Sequence, residues 1–451
     1  MKIKDIVTFV SKSITPKPGV TYNLYSLPSF DEGKTSEILD GTEIQSNKYD
    51  VPNKCILFNK LNVRFRRVWK VDNYDENKIS STEFLPLVVN ENVVDFQYCY
   101  YLLISDRITN YLCGQNTNTS GSHKRIDPNN FLDIEITLPK MSIQKQIGKT
   151  LSALDRKIEI NKWINDNLEA MAKQLYDYWF VQFDFPNEEG KPYKSSGGVM
   201  VWNEKLKREI PKGWHCGTLL DIAEYTNGLA CQKYRPTDDN KLPVIKIKEM
   251  HDGLSVDTEW VKADIPDEVK VFDGDVLFSW SASLEVMLWA YGNGGLNQHI
   301  FKVTSKNGYP RSFYFYQLIH YIGVFKQMAE ARKTTMGHIT QDHLRQSSIV
   351  LPPNVDIANK LEEKLCPIFD AIVKNSQEIM TLTKQRDELL PLLMNGQASV
   401  NYHLSVVNVV ARLPFYRRLP IFMYCFILLL LSRLSWYNKN VLYFKMLSHS
   451  Y

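Results

Sequence analysis

Four short stretches of the chain concentrate basic side chains that could contact a polyanion such as nucleic acid. Arginine and lysine in loops neutralise phosphates and also reach base edges, where arginine offers a fork of donors. The candidate contact residues are Arg64, Arg66 and Arg67 in "RFRRVWK" (64–70), His123, Lys124 and Arg125 in "SGSHKRID" (120–127), Lys233 and Arg235 in "CQKYRP" (231–236), and Arg332, Lys333 and His338 in "EARKTTMGHITQ" (330–341). The sequence therefore predicts local basic patches.

The stretch 64–70 also has an explanation that needs no ligand. If it forms a strand, Arg64 and Arg66 share one face and Arg67 points to the other. Charged side chains along a sheet edge deter pairing with another chain, so these arginines could form a solvated edge. The sequence leaves both explanations open.

The net charge of the chain does not by itself indicate a polyanionic partner. The 451 residues include 54 Lys and Arg and 50 Asp and Glu, but six of the basic residues and none of the acidic ones lie in 403–451. The first 402 residues therefore carry 48 basic and 50 acidic groups, so nucleic-acid binding would depend on the local patches. The seven cysteines are scattered without CxxC spacing, which predicts reduced thiols in the cytoplasm rather than a zinc cluster.

Motifs for catalysis are weak or missing in the sequence. There is no GxxxxGK[ST] loop for ATP. "DPNNF" (127–131) only partly matches the base-binding loop of a DNA adenine methyltransferase, because Asn129 stands where a second proline belongs. Glu268 and Lys270 in "IPDEVK" have nuclease-like spacing, but solvated turn charges explain such a triplet better. We therefore predict no catalytic residue and no metal ligand, with an enzyme of unrecognised site as a remaining hypothesis.

The chain repeats itself at offsets of 213 to 220 residues. The aligned pairs are Asp5–Ile6 with Asp221–Ile222, Leu57–Phe58 with Leu277–Phe278, Leu138–Pro139 with Leu351–Pro352, and Asp155 with Asp370. Short bounded apolar runs typical of strands alternate with helical spacing inside each copy, which predicts mixed α/β units. The order along the chain is globular unit, helix, globular unit, helix.

Two long stretches, about 143–179 and about 355–394, have apolar residues at the spacing of one helix face. At 1.5 Å per residue each helix would be about 55 Å long. Because a globular unit separates them, an antiparallel pair would hold the two units at opposite ends. Alternatively, each apolar stripe is buried against a globular unit.

Several motifs occur in a characteristic order. They are the loops "GSHKRID" (121–127) and "TTMGHITQDHL" (334–344), the aromatic block "LYDYWFVQFDF" (175–185), "IPKGWHCGTLLDIAE" (210–224) and "RDELLPLLMNG" (386–396). In this order they resemble the DNA-specificity (S) subunit of type I restriction–modification enzymes. The resemblance covers about residues 1–400. The first unit departs from the pattern, since it begins at "KIKDI" without a lead-in like Pro211–Trp214.

The resemblance implies an α/β fold of two similar target-recognition domains, separated by two conserved helices that form an antiparallel coiled coil with an internal pseudo-two-fold repeat. The expected boundaries are 1–140 for the first recognition domain, 141–183 for the central helix, 184–208 for a linker, 209–352 for the second recognition domain, 353–398 for the distal helix and 399–451 for an atypical apolar and basic tail.

The resemblance also implies a non-catalytic subunit that reads a bipartite DNA target. Its helices would set the gap between the half-sites and dock two methyltransferase subunits, onto which restriction–translocase subunits assemble. S-adenosylmethionine, ATP and Mg²⁺ would be used by those other subunits and not by this chain. The residues expected at the subunit interface are Leu154, Ile158, Leu168, Trp179, Phe180, Ile368, Ile372 and Leu389. The aromatic block would also brace the central helix against the next unit.

A second hypothesis is a coiled-coil scaffold or membrane-tethered interaction protein that does not read DNA. The tail segment "LPIFMYCFILLLL" (419–431) falls short of the ~20 apolar residues that span a bilayer. We therefore expect no membrane partner and a cytoplasmic location.

Overall fold

The structure, a computed structural model, describes residues 1–115, 125–281, 283–331, 339 and 341–398. Residues Met1–Met394 form one compact unit. The tail 399–451 lies outside the described residues.

The first globular region contains short strands and short helices. The strands are β1 (Val7–Phe9), β2 (Ser13–Ile14), β3 (Thr21–Tyr25), β4 (Glu37–Asp40), β5 (Lys48–Asp50), β6 (Lys54–Asn59), β7 (Val68–Asp72), β8 (Lys78–Ser80) and β9 (Phe84–Val89). The helices are α1 (Leu27–Asp31), α2 (Phe96–Ile104), α3 (Asp106–Gln115) and α4 (Pro128–Leu132). The strands form an antiparallel sheet of order β1-β9-β6-β7 and a second sheet of order β2-β5-β8-β3-β4, in which β3 and β8 are parallel.

A long helix leads to the second globular region. Helix α5 (Met141–Tyr176) continues into a π-helical turn, Asp177–Val181, and a hairpin of β10 (Met200–Asn203) and β11 (Arg208–Pro211) follows. The remaining elements are β12 (His215–Thr218), α6 (Leu219–Ile222), β13 (Ala223–Asn227), β14 (Lys241–Ile245), α7 (Ile247–Asp252), β15 (Trp260–Lys262), β16 (Lys270–Val271), β17 (Val276–Ser279), β18 (Glu285–Leu288), β19 (Gly294–Leu296), β20 (Ile300–Ser305), α8 (Arg311–Ala331), α9 (Gln341–Gln346), β21 (Ser348–Leu351) and α10 (Asp356–Met394).

The two globular regions have the same strand order, which agrees with the repeat in the sequence. The sheet β13-β20-β17-β18 matches β1-β9-β6-β7 strand by strand. The sheet β16-β19-β14-β15 matches β5-β8-β3-β4, and its parallel pair, β14 with β19, takes the place of β3 with β8. The mixed α/β fold with an internal repeat is therefore confirmed.

Helices α5 and α10 pair antiparallel, as expected. Asp155 of α5 contacts Arg386 near the end of α10, whereas Asn165, ten residues later, contacts Asn375. Each helix also packs on a globular region. Gly148 of α5 allows a close approach to α2, since a Cβ there would lie 2.8 Å from Asp95 Oδ1, and Phe369 of α10 packs on Phe315 of α8 at 5.2 Å between ring centroids. Both explanations of the apolar stripes therefore hold in part.

Buried amides connect the two helices. Asn165 Nδ2 donates to Ser376 Oγ at 3.0 Å, and Asn375 Nδ2 donates to Asn165 Oδ1 at 2.9 Å. One turn away, Asn161 Nδ2 donates to Glu378 at 2.9 Å, and Lys157 pairs with the same carboxylate. A buried amide without a hydrogen-bond partner destabilises the fold, so these bonds favour this register of the helix pair over shifted registers.

Asp155, six residues before Asn161 on α5, connects this helix to α2 and to α10. Its carboxylate accepts from Tyr101 of α2 at 2.5 Å and from Arg386 Nη1 of α10 at 3.0 Å. Burial and the adjacent Asp155 charge raise the pKa of Tyr101 far above its ordinary value, so the phenol remains a donor. Asp370, the aligned residue of α10, accepts from Arg311 at 3.2 Å.

The aromatic block lies between α5 and the second globular region. The Phe180 ring contacts Trp214 and Phe313 at centroid distances of 5.9 and 4.9 Å. Phe183 adopts a left-handed backbone conformation, with φ of 64°, and its buried ring meets Trp214 edge-on at 5.6 Å. These contacts anchor the end of α5 to the region that follows it.

The segment 184–208, expected as a linker, is folded rather than loose. Asp184 accepts from the backbone and hydroxyl of Ser195 at 2.7 and 2.5 Å, and the Tyr193 ring stacks on Phe185 at 4.8 Å. The segment then forms β10 of the hairpin. Its Gly, Ser and Pro content predicted the turns but gave no sign of these tertiary contacts.

Replacing Asp155 by alanine is expected to loosen the helix pair at its α2 end. The change leaves the half-buried Arg386 without this partner and Tyr101 without an acceptor, which should cost about 2–3 kcal/mol. Thermal unfolding and hydrogen exchange in α2 and α10 would measure it. Asp387→Ala is the matched control, because Asp387 also pairs with Arg386 but is 59% exposed, and should cost at most about 1 kcal/mol. Equal effects of the two substitutions would contradict the role given to Asp155.

Candidate nucleic-acid interface

The three arginines of the first basic stretch lie in the loop between β6 and β7. The solvated strand edge considered for them does not apply, because β7 begins only at Val68. Arg67 is held by Asp31 through two hydrogen bonds of 2.7 Å, and Arg66 pairs with Asp106. Arg64 is exposed and lies 4.8 Å from the Phe65 ring centroid. Of the three, Arg64 is therefore the one best placed for phosphate contact.

Arg125 lies next to this loop. Residues Leu61 and Arg125 form a β-bridge, and Ile126 N donates to Lys60 O at 2.9 Å. The guanidinium of Arg125 binds Glu83 through Nε at 3.0 Å and Nη2 at 2.8 Å. The hydrogen bonds and charge of Glu83 raise the pKa of Arg125 above its ordinary value. The fold thus brings two basic stretches, about 60 residues apart in sequence, to one place.

Lys233 and Arg235 are exposed in the loop after β13, in which Cys231–Tyr234 form a short 3-10 helix. The loop is fastened to the segment after β19, where Gln298 N donates to Leu229 O at 2.9 Å. Gly228 allows this approach, because a Cβ there would lie 2.2 Å from the carbonyl oxygen of Asn297. The remaining candidates, His123, Lys124, Arg332, Lys333 and His338, lie outside the described residues.

The side chains expected at a subunit interface are mostly turned inward. Trp179 and Phe180 are 4% and 5% exposed in the core of this chain, so burial corrects their assignment to a partner-facing surface. Ile158 and Ile372 are buried, and the rest are half-buried: Leu154, Leu168, Ile368 and Leu389.

Two groups of residues were not predicted from the sequence. One is a polar run after β19 that includes Gln298 and His299, which carry no formal charge and so did not stand out as a basic patch. The other is an outward-facing apolar pair on α5, Ile160 and Trp163, which are 45% and 67% exposed. Their three-residue spacing outside the inward stripe was the available signal.

The described residues contain neither a cluster suited to a metal ion nor a helix suited to a membrane. Among them, no group of three or more His, Cys, Asp or Glu side chains is placed to hold a metal ion. Within the same ranges, no helix combines the length and apolar character needed to cross a membrane.

Known proteins are similar to this chain in sequence and in fold. A family model described as the type I restriction modification DNA specificity domain matches residues 1–170 and 211–385. The MjaIX specificity subunit of a type I restriction enzyme from Methanocaldococcus jannaschii is 25% identical over 340 residues, covering 72% of this chain and 74% of its own. The HindI specificity subunit from Haemophilus influenzae is 24% identical over 425 residues, covering 78% and 90%.

A solved structure has a similar fold. The crystal structure of the type I restriction-modification S subunit from M. genitalium aligns with a TM-score of 0.55 and 14% identity, covering 87% of this chain and 95% of that one. The family model covers well over half of the chain, once over each globular region and the helix that follows it. The chain belongs to the type I restriction–modification DNA specificity family, and its function is DNA recognition as a specificity subunit. The hypothesis of a scaffold without DNA reading has no support in these matches.

Arg64→Ala and Arg67→Ala should separate DNA contact from internal structure. Removing Arg64 should leave thermal stability within about 0.5 kcal/mol of the wild type and weaken DNA binding, with the salt slope smaller by about one. Removing Arg67 should lower stability by up to about 1 kcal/mol, because the Asp31 pair is lost. Calorimetry and anisotropy titrations at several salt concentrations measure both. A loss of DNA affinity on Arg67→Ala alone, without a change in stability, would reverse the assignment.

Proposed function

We propose that this chain reads a DNA target in two parts, with one globular region contacting each half-site and the α5–α10 pair setting the gap between them. The observation that supports this most is the repeat itself, since one chain carries the same two-sheet fold twice. Two copies of a DNA specificity domain joined by a helix pair have a direct use if the target has two halves.

The chain contributes recognition, and the chemistry belongs to its partners. Two methyltransferase subunits and the restriction–translocase subunits complete the assembly, which is then a DNA adenine methyltransferase and site-specific endonuclease. S-adenosylmethionine, ATP and Mg²⁺ act in those subunits. The complex works in the cytoplasm, where its DNA is.

The methyltransferase subunits dock on the outer face of the helix pair. Ile160 and Trp163 support this assignment, because large exposed apolar side chains one turn apart are typical of a protein interface. Trp is also among the residues that contribute most to binding energy at interfaces.

We propose the functional boundaries that the sequence predicts. The first recognition domain is 1–140, the central helix 141–183, the second recognition domain 209–352 and the distal helix 353–398, with 184–208 as a folded connection. We propose that the tail 399–451 has no part in recognition.

The proposal is tested by selecting bound duplexes from a randomised DNA library. The full chain, co-purified with its partner methyltransferase subunit, is expected to enrich a motif of two conserved parts with a fixed, unspecified gap. A motif in one continuous part, or no enrichment by an intact complex, would contradict the proposal.

Matched heptad insertions test the role of the helices. One heptad added to both helices, beside the facing residues Asn165 and Asn375, keeps the paired faces aligned and lengthens the pair by about 10 Å. The selected gap should then grow by up to about 3 base pairs. An insertion in α5 alone is the control and should disrupt pairing, which size-exclusion chromatography and calorimetry would detect. An unchanged gap after matched insertions would show that the helices do not set it.

A further inference from the structure

In both globular regions, two adjacent strands of one sheet end beside each other and make the same backbone hydrogen bonds. We call this place the corner. In the first region, Lys60 N donates to Glu83 O and Ile126 N donates to Lys60 O, both at 2.9 Å. Here Lys60 follows β6 and Glu83 precedes β9.

In the second region, Trp280 N donates to His299 O at 3.3 Å and Ile339 N donates to Trp280 O at 3.0 Å. Trp280 follows β17 and His299 precedes β20, the strands that match β6 and β9. Lys60 is therefore equivalent to Trp280, and Glu83 to His299. The backbone is repeated, but the side chains differ in chemistry.

In the first region the corner presents an arginine in a fixed orientation. Glu83 occupies the Nε–Nη2 edge of Arg125 and is itself only 19% exposed, whereas Arg125 is 56% exposed. The Nη1–Nη2 edge is left, and no described residue bonds to Nη1. This pair of donors matches O6 and N7 of guanine in the major groove.

In the second region the corner presents an amide in place of the guanidinium. Gln298 Nε2 lies 3.3 Å from His299 Nε2, and an amide nitrogen only donates, so this contact is a hydrogen bond in the tautomer that leaves Nε2 as the acceptor. Its second N–H and its Oε1 are left, and the described residues offer Oε1 no partner. One donor and one acceptor on an amide match N7 and N6 of adenine.

The imidazole that holds Gln298 is itself positioned by an aromatic neighbour. The rings of His299 and Trp280 lie 5.5 Å apart, and Trp280 Nε1 donates to Asn227 Oδ1 at 3.1 Å. A side chain fixed by its neighbours loses less conformational entropy when it meets a base.

Both corners also adjoin a basic loop. The bridge between Leu61 and Arg125 places the Arg64 loop beside the first corner. The contact between Leu229 and Gln298 places the Lys233 and Arg235 loop beside the second. Phosphate contacts orient a protein so that neighbouring polar groups can reach base edges. Each corner has a basic loop for phosphate contact and, beside it, a polar side chain for base contact.

We propose that this corner is the base-reading site of each recognition domain, with Arg125 contacting a guanine in the first half-site and Gln298 contacting an adenine in the second. The inference rests on the proposed function and goes further, because it assigns the difference in specificity between the two domains to different side chains that reach the same corner, Arg125 from beside Ile126 and Gln298 from beside His299. Glu83 and His299 are positioning residues that orient the contacting groups.

The library selection is repeated with variants of the full chain in its complex. Arg125→Ala should reduce the preference for one guanine in the first half-site by about tenfold or more and leave the second half-site unchanged. Gln298→Ala should do the same for one adenine in the second half-site only. Each variant is thus a control for the other. Lys306→Ala, at the far end of β20 and about 20 Å from the corner, should change neither half.

Co-elution with the methyltransferase subunit reports on folding, and Gln298→Glu replaces the alanine variant if co-elution is lost. A glutamate cannot donate to adenine N7, so it should also abolish the adenine preference. A wild-type complex that selects no two-part motif would refute the proposed function. A two-part wild-type motif that Arg125→Ala and Gln298→Ala leave unchanged, or change in the wrong half, would refute this inference alone.

Discussion

The pairing of α5 with α10 is the constraint on which the rest of the molecule depends. Each helix packs on its partner and on a globular region, so the position of every element that could meet DNA follows from the register of the pair. Apolar stripes alone tolerate slippage by a turn, whereas buried amides do not. The bonds of Asn161 and Asn165 to α10, and the meeting of Tyr101, Asp155 and Arg386, therefore stabilise one separation of the two regions. A subunit that reads a split sequence needs such a separation.

The two globular regions have the same backbone fold but different side chains at the corner. The shared strand order gives both regions the same backbone corner, and the residues placed there then decide what each can bind. A carboxylate-held arginine and an imidazole-held amide are different readers on equivalent scaffolds. New specificities can arise by changing a few side chains at the corner while the sheets and the helix pair stay as they are.

The sequence was most informative where periodicity was long. The stripes over 143–179 and 355–394 and the repeated Asp-Ile, Leu-Phe and Leu-Pro pairs predicted the architecture, because burial imposes spacing. Partners of individual charges were not predictable. The sequence could not show that Arg66 pairs with Asp106 and Arg67 with Asp31, because these carboxylates are distant along the chain. When a helix packs on two surfaces, the sequence does not show which of its apolar side chains are exposed. The exposed Ile160 and Trp163 were therefore not predicted, and the buried Trp179 and Phe180 were predicted at a subunit interface.

We propose above all that one chain directs DNA modification to a target in two parts. The most direct measurement is to express the full chain with its neighbouring methyltransferase subunit in a host without DNA methylation, and to map N6-methyladenine by single-molecule sequencing. We expect methylation at a motif of two conserved parts separated by a fixed number of unspecified base pairs. Methylation at one continuous motif, or none in cells where the two proteins form a complex, would contradict it.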